Sequence, residues 1–486
     1  MIIAAMLGHS LARVGLLLDA LAAAGVLVLA GRPRRAAAGA ALVLTPLLLG
    51  ATLWKSSQIL RLRHHHALAV AGIVAAVVLL ALLAFVYRSR PRWLAFSAVL
   101  ALPFRFSLLS GGTGGILLVL YAVIGGGAIA LVLWGERDAR ARSGVLERTI
   151  AAVVVLYAVQ ALYTPDLTKA AEELCFFYVP FSLLFVLLRD VRWDAILLRR
   201  CAMLVVALAV VFVAVAGVEY LTRDLIFHAA LNGNQRFFRV NSLFYDPNIY
   251  GRYLALAMVL LAAALMWETR RREVVVMAGL LALLWLGLLP ALSESSTLAL
   301  LAGLAVIAAV RLPPRVSAAA AVLVAAGVVV VAVAASGSLH LNLSDTSSAN
   351  NATSGRASLI KQGADIFAAR PLQGYGSGSF SCEYLRRSKP AYVCGAPGPT
   401  GVTSDSHATP VTIAAEQGVI GLVAYLALLA AALVTLAGGG IRSSVARVAL
   451  LAAFIGLVVH TWAYADFLED PITWALLAVG SSLRRP

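Results

Sequence analysis

His407 opens the segment HATPVTIAAEQGVIG, with a polar stretch behind it and an apolar run ahead of it. An imidazole in that position titrates near neutral pH and can act as general base on a hydroxyl. A structural, hydrogen-bonded histidine is the alternative reading. Asp405 or Ser406 stands where a helix cap is expected, and Pro410 occupies the first turn, where its missing N–H is tolerated. Glu416 follows nine residues after His407, on the order of 13 Å along a helix. An acid at such depth is a functional candidate by default.

Cationic side chains gather in two other polar stretches. Arg223, Arg236, Arg239 and Arg252 surround one connection, and Arg356, Lys361, Arg370, Arg386, Arg387 and Lys389 lie in another. Elsewhere the bases form short clusters between apolar runs, as at Arg32 to Arg35 and Arg270 to Arg272, which is the positive-inside signature. Alternating sides from those clusters puts 221–249, 293–296, 337–410 and 465–470 on the external face. Arginines that accumulate there run against the bias. An anionic ligand accounts for them, because the guanidinium fork binds phosphate bidentately. Solvated loop charge, balanced in part by Asp345, Asp365, Glu383 and Asp405, is the plainer account.

Local pattern distinguishes among these residues. From Ser354 to about Ala369 the chain reads as an amphipathic helix, with Leu359, Ile360, Gly363, Ile366 and Phe367 on one face. Arg356 falls within that apolar stripe, which predicts a partly buried guanidinium needing either a substrate phosphate or an internal carboxylate. The glycine-rich turn from Pro371 to Gly378, which contains Tyr375, stops the helix. Tyr245-Asp246-Pro247-Asn248 reads as another helix entry, with Arg236 and Arg239 upstream and Arg252 one turn inside. Asn248 is there as a cap or as a ligand-binding amide. Ser293-Glu294-Ser295-Ser296 is a short turn whose hydroxyls suit a sugar or merely reverse the chain. Asp466, Glu469 and Asp470 make an external acidic patch without the spacing of a cation site.

The elements that position these residues are membrane helices. Of 486 residues, 61% are hydrophobic and 13% charged, with mean hydropathy +0.90; soluble domains have roughly 45–50% and about 25%. Runs of about 17–25 apolar residues recur, each enough for ~30 Å of hydrocarbon. Barrel strands would be about ten residues long and alternate in polarity, so the predicted fold is an all-α polytopic bundle. Its spans fall near 14–31, 36–54, 66–87, 92–109, 113–134, 147–163, 173–189, 200–220, 250–267, 274–292, 297–311, 316–336, 411–436, 444–464 and 471–482, a count of about 12–15.

Four parts follow: N-terminal helices over 1–235, central helices with the arginine-rich connection over 236–336, an external loop over 337–410, and C-terminal helices over 411–486. The charge of +16, from 39 bases and 23 acids, is a matter of topology and not of nucleic acid. Cys175 and Cys201 belong to spans, while Cys382 and Cys394 flank eleven loop residues and can pair if that loop is extracytoplasmic. The first apolar run reads as a retained helix. No zinc-ligand spacing, Walker loop or dinucleotide fingerprint occurs in the sequence.

In their order, these pieces resemble the O-antigen ligase family. The resemblance runs from Arg236 to Gly421. It rests on Arg239 with the Pro247-Asn248 entry, the turn Ser293 to Ser296, Gly355-Arg356 leading into Pro371 to Phe380, and His407 followed by Gly418 and Gly421. Ala408 stands where the family usually has Asn, and Ser295-Ser296 where its turn often carries Arg. The resemblance implies a membrane glycosyltransferase that moves a glycan from an undecaprenyl-pyrophosphate carrier to a hydroxyl of a glycolipid, glycan or protein. Its place would be the outer, periplasmic face of the cytoplasmic membrane, with inversion at the anomeric carbon and neither metal nor cofactor. His407 and Arg356 would then be catalytic, and Arg236, Arg239, Asn248, Arg252, Ser295, Tyr375 and Glu416 would bind pyrophosphate or sugar. An O-antigen or exopolysaccharide polymerase shares that donor, and a peptidoglycan polymerase handles related lipid-linked sugars. A transporter of lipid-linked glycan or small solutes would explain the spans and Glu416. It predicts internal repeats and broken helices in matching halves, which the sequence does not display.

Overall fold

The computed structural model describes residues 2–52, 66–104, 117–136, 143–226, 238–313, 315, 356–394, 405–438, 440–441 and 444–483. Every regular element among them is helical. In chain order these are α1 (Ile2–Val28), α2 (Gly31–Thr52), α3 (His66–Ser89), α4 (Arg92–Ala101), α5 (Leu118–Trp134), α6 (Val145–Ala161), α7 (Leu167–Asp190), α8 (Ala195–Thr222), α9 (Pro247–Leu265), α10 (Arg271–Leu288) and α11 (Glu294–Arg311). Then come α12 (Arg356–Ala369), α13 (Phe380–Ser388), α14 (Thr409–Ala437), α15 (Val445–Trp462) and α16 (Pro471–Leu483).

Ten described helices are long and apolar enough to cross a membrane, and α4, α5 and α16 are shorter apolar helices. The chain is a multi-pass α-helical membrane protein. Each expected span except 316–336 coincides with a helix, and 316–336 lies outside the described residues. Two of the boundaries that differ from expectation have a clear local cause. The span at 92–109 is a ten-residue helix that ends at Ala101, just before Pro103, which has no N–H to continue it. The span at 173–189 begins six residues earlier, at Leu167, because the Asp166 side chain caps it by accepting from the Lys169 amide at 3.0 Å.

The helices enclose two hydrophobic cores. One draws on α1 to α7 with α14 to α16, through residues such as Tyr157, Phe181, Tyr425, Phe454 and Trp474. The other draws on α8 to α11, through Phe212, Tyr250, Leu254 and Leu284. Helix α15 contributes to both: Leu451 and Phe454 enter the first, and Val448, Ala452 and Leu457 the second. A third, small cluster of Ile366, Phe380 and Ala415 seats α12 and α13 on the first half of α14.

That seating depends on a break in α14. Gly418 has φ 66° and ψ −163°, which interrupts the helix two residues after Glu416. The turn after α12 fills the gap with its own backbone. The Gly376 amide donates to the Glu416 carbonyl at 2.8 Å, the Val419 amide to the Pro371 carbonyl at 2.8 Å, and the Ile420 amide to the Leu372 carbonyl at 3.3 Å. Gly374 and Gly418 lie where the two backbones cross. A Cβ on Gly374 would meet the Glu416 carbonyl oxygen at 2.1 Å, and one on Gly418 the Leu372 oxygen at 2.3 Å. Both also have positive φ, so glycine is required twice over.

Gly374→Ala should therefore cost about 2–5 kcal/mol, combining left-handed strain with overpacking. Gly279→Ala, where a Cβ meets open space, should be neutral or slightly stabilising. Melting curves of the purified variants in one detergent test this, and an unchanged Gly374→Ala would remove the crossing as a determinant of the fold.

Candidate functional site

The site assembles at the end of the bundle where α9, α11, α14 and α16 begin and α15 finishes. At the start of α9, Asp246 is the N-cap and accepts from the Asn248 amide at 2.6 Å. Pro247 fills the first helical position. Capping by Asp246 leaves the Asn248 side chain available, and its Oδ1 accepts from Arg239 Nη2 at 3.1 Å and from Ser293 Oγ at 3.0 Å. Arg239 is half-buried and also donates from Nε to the Ala291 carbonyl at 2.9 Å. Ser293 in turn caps α11, lies 2.7 Å from Ser296 Oγ and 3.4 Å from Ser295 Oγ, and Ser296 Oγ donates to the Asn248 carbonyl. The serine turn thus grips the helix entry that holds Arg239.

Ser295 is fully buried, and its hydroxyl meets His460 Nε2 at 3.2 Å. The His460 ring lies 5.5 Å from that of Tyr464, and the Tyr464 ring 5.6 Å from that of His407. His407, Ser295, Asn248 and Arg239 are therefore linked by an unbroken series of side-chain contacts. The His407 backbone has φ 53°, in the left-handed region, and its amide donates to Asp405 Oδ1 at 2.7 Å. Its Nδ1 faces the same carboxylate oxygen at 3.6 Å, with 26% of the side chain exposed. Asp405 holds the His407 amide and does not cap α14. The N-cap is Ala408, without a side-chain cap, while Ser406 pairs with Thr412 at 2.8 Å. The turn after His407 is tied to α15 by Thr409 Oγ1, which donates to the Thr461 carbonyl at 3.0 Å.

Other residues singled out from the sequence lie apart from this series. Arg252 is buried one turn inside α9, where its Nη2 is 3.0 Å from Asp470 Oδ2. Asp470 is accordingly a buried counter-ion and not part of an exposed acidic patch. Glu416 is buried, but both carboxylate oxygens are engaged: Oε2 accepts from the Gly378 amide and Oε1 from the Phe380 amide, each at 2.9 Å. A carboxylate at the start of α13 satisfies the amide of its first residue, Phe380, and that of Gly378 in the preceding turn, and complements the helix dipole. Tyr375 is half-buried, with the Arg370 and Arg387 guanidiniums 4.5 and 5.5 Å from its ring centre. Cys382 and Cys394 form a disulfide.

The expected placement of the Arg356 side chain, and all of Arg236, lie outside the described residues. The backbone of α12 is described and runs parallel to the first half of α14, from Gly363 beside Val411 to Leu372 beside Gly418. A Cβ on Gly363 would touch Val411 and Ser406, which puts the start of α12 two turns, about 10 Å, beyond that level. The buried face of α12 centres on Gly363 and Ile366, whereas Ile360, expected on the same stripe, is 39% exposed.

Sequence reasoning named Asp405, Glu416, Asp466 and Glu469 separately but missed that they converge with Tyr157 and Glu173 on the other flank of α14. A cavity of about 60 Å³ is lined by Tyr157, Glu173, Asp405, Glu416, Asp466 and Glu469 among others. Lys169 pairs with Glu173 at 3.1 Å, and Tyr157 donates to the same carboxylate. Burial, reinforced by Glu173 and Asp466, pushes the Glu469 carboxyl well above the usual carboxylate range. Lys169 and Glu173 sit just where an expected span began, so their polarity looked like a flank. His460 was legible as a lone imidazole in AAFIGLVVH, and nothing but its burial marks it out.

Glu416→Ala should orphan the Gly378 and Phe380 amides and cost about 2–4 kcal/mol, with Glu416→Gln losing less. Hydrogen exchange at those two amides is the sensitive measure; protection equal to wild type in Glu416→Ala would refute the capping role.

Residues 279–426 match the family model described as O-antigen ligase. The matched stretch runs from α10 to the middle of α14 and includes the serine turn, α12, the glycine crossing and His407. No curated protein matches the chain. The family is one of membrane enzymes that transfer glycans, and this chain matches its model through residues 279–426.

Proposed function

We propose that the protein moves a glycan from an undecaprenyl-pyrophosphate carrier to an acceptor hydroxyl at the outer face of the cytoplasmic membrane. The observation that carries this reading is the unbroken contact series from Arg239 through Asn248, Ser293, Ser295, His460 and Tyr464 to His407. It joins a phosphate-binding cation to a base at one end of the bundle. The Cys382–Cys394 disulfide supports an external loop, since such bonds persist in oxidising compartments.

In this reading the acceptor oxygen attacks the anomeric carbon as its proton passes to His407. With Nδ1 turned to Asp405, Nε2 is the nitrogen that receives it, and the imidazolium is stabilised by that carboxylate. The bond from the anomeric carbon to the diphosphate oxygen breaks in the same displacement, which inverts the centre. Charge growing on the departing diphosphate is met by Arg239, with Arg356 at the head of α12 and Arg236 as the further cations. Preorganised donors of this kind supply the largest share of rate enhancement in comparable transfers. Arg252, paired with Asp470, holds α9 to α16 and does not touch substrate. Glu416 acts by fixing the glycine turn that carries Tyr375.

The test uses purified protein in nanodiscs with an undecaprenyl-pyrophosphate-linked oligosaccharide as donor. Lipid A–core and a second lipid-linked oligosaccharide serve as alternative acceptors, which separates ligation from polymerisation. His407→Ala and Arg239→Ala should each lower product formation by at least about 10²-fold, and Arg239→Lys less, because it keeps charge but loses the fork. Wild-type rates in both alanine variants would sink the assignment.

A further inference from the structure

His460 lies in the last turn of α15 and is fully buried, as is the adjacent Thr461. Burying an imidazole costs desolvation that a leucine would avoid, so its retention calls for a task. Two contacts define that task. Nε2 holds the Ser295 hydroxyl at 3.2 Å, and the ring packs 5.5 Å from Tyr464, whose own ring backs His407 at 5.6 Å.

The mounting is rigid. Helices α11 and α15 run antiparallel at backbone contact: a Cβ on Gly456 would lie 2.7 Å from the Ala299 carbonyl oxygen, and one on Gly303 would lie 3.2 Å from that of Ala452. Small residues allow such an approach between membrane helices. Ser295 is one turn before Ala299, and His460 one turn after Gly456, so the close seam fixes one over the other. On the far side, His407 has a left-handed backbone that must be held in place. Asp405 holds its amide, Tyr464 its ring, and the Thr409–Thr461 bond the following turn. The last two restraints come from the end of α15.

We propose that His460 is a positioning residue for glycan transfer, setting the separation between the Arg239 guanidinium and the His407 imidazole through Ser295 on one side and Tyr464 on the other. This rests on the reading of the site given above. His460 touches neither donor nor acceptor, so its loss should leave donor binding intact and slow the displacement itself. A shift of about 1 Å between reacting groups is worth on the order of 10²-fold in rate.

The test measures kcat and donor KM separately, with the undecaprenyl-pyrophosphate-linked oligosaccharide above. His460→Ala should lower kcat by about 10- to 100-fold with donor KM within about twofold. His460→Gln, whose amide can still bond Ser295, should recover much of the loss, and Tyr464→Leu should lower kcat like His460→Ala. A folded His460→Ala with kcat within about twofold of wild type overturns the proposal, as does a loss that appears in KM alone. If His460→Ala does not fold, Tyr464→Leu decides: unchanged kcat there is equally fatal. Inactive His407→Ala beside active His460→Ala refutes only this inference, whereas full activity in His407→Ala refutes the reading beneath it.

Discussion

A helix that breaks inside an apolar bundle exposes amides and carbonyls that hydrocarbon cannot satisfy, at several kcal/mol each. The break at Gly418 is the constraint around which this end of the protein is arranged. Its free backbone groups are paired by residues 371–376, and the neighbouring Glu416 side chain pairs the amides of Gly378 and Phe380 at the entry to α13. Broken helices in transporters line an ion or substrate cavity. Here the gap is closed by protein backbone, so the break fastens a loop and opens no path. Because the turn is anchored, α12 lies along the first half of α14, and the helix that begins with Arg356 is aligned with the helix that His407 precedes.

Charge is divided across that same half of α14. The flank toward α9 and α11 carries Arg239, Asn248 and the serine turn, and the opposite flank carries Glu173, Glu416, Asp466 and Glu469. Neither group is left bare. Asn248 and Ala291 share the Arg239 donors, Lys169 sits against Glu173, and Asp470 is neutralised by Arg252. Buried ions paired in this way contribute little net stability, yet removing one partner is costly. Their arrangement is consequently better understood as geometry imposed on the site than as a source of folding energy.

Much of the architecture was legible in the sequence, because apolar runs of membrane length admit few readings and glycine, proline and capping residues mark their ends. The entry at Asp246-Pro247-Asn248 is a case in point: the cap, the first turn and the free amide are all explained by residue type. Other features were opaque for physical reasons. Asp166 and Lys169 looked like a polar flank, but a cap and an ion pair carry α7 through them. The roles of Arg252 and Glu416 depend on partners 218 and 38 residues away, and no periodicity reports a partner at such separation. His460 sits in a run that scores as lipid-facing, and only its packing against Ser295 and Tyr464 distinguishes it from an interfacial histidine.

The glycine-to-carbonyl seam between α11 and α15 also bears on how such a protein can diversify. Any larger residue along it would pry the pair apart, so variants that handle unfamiliar saccharides must draw their novelty from elsewhere.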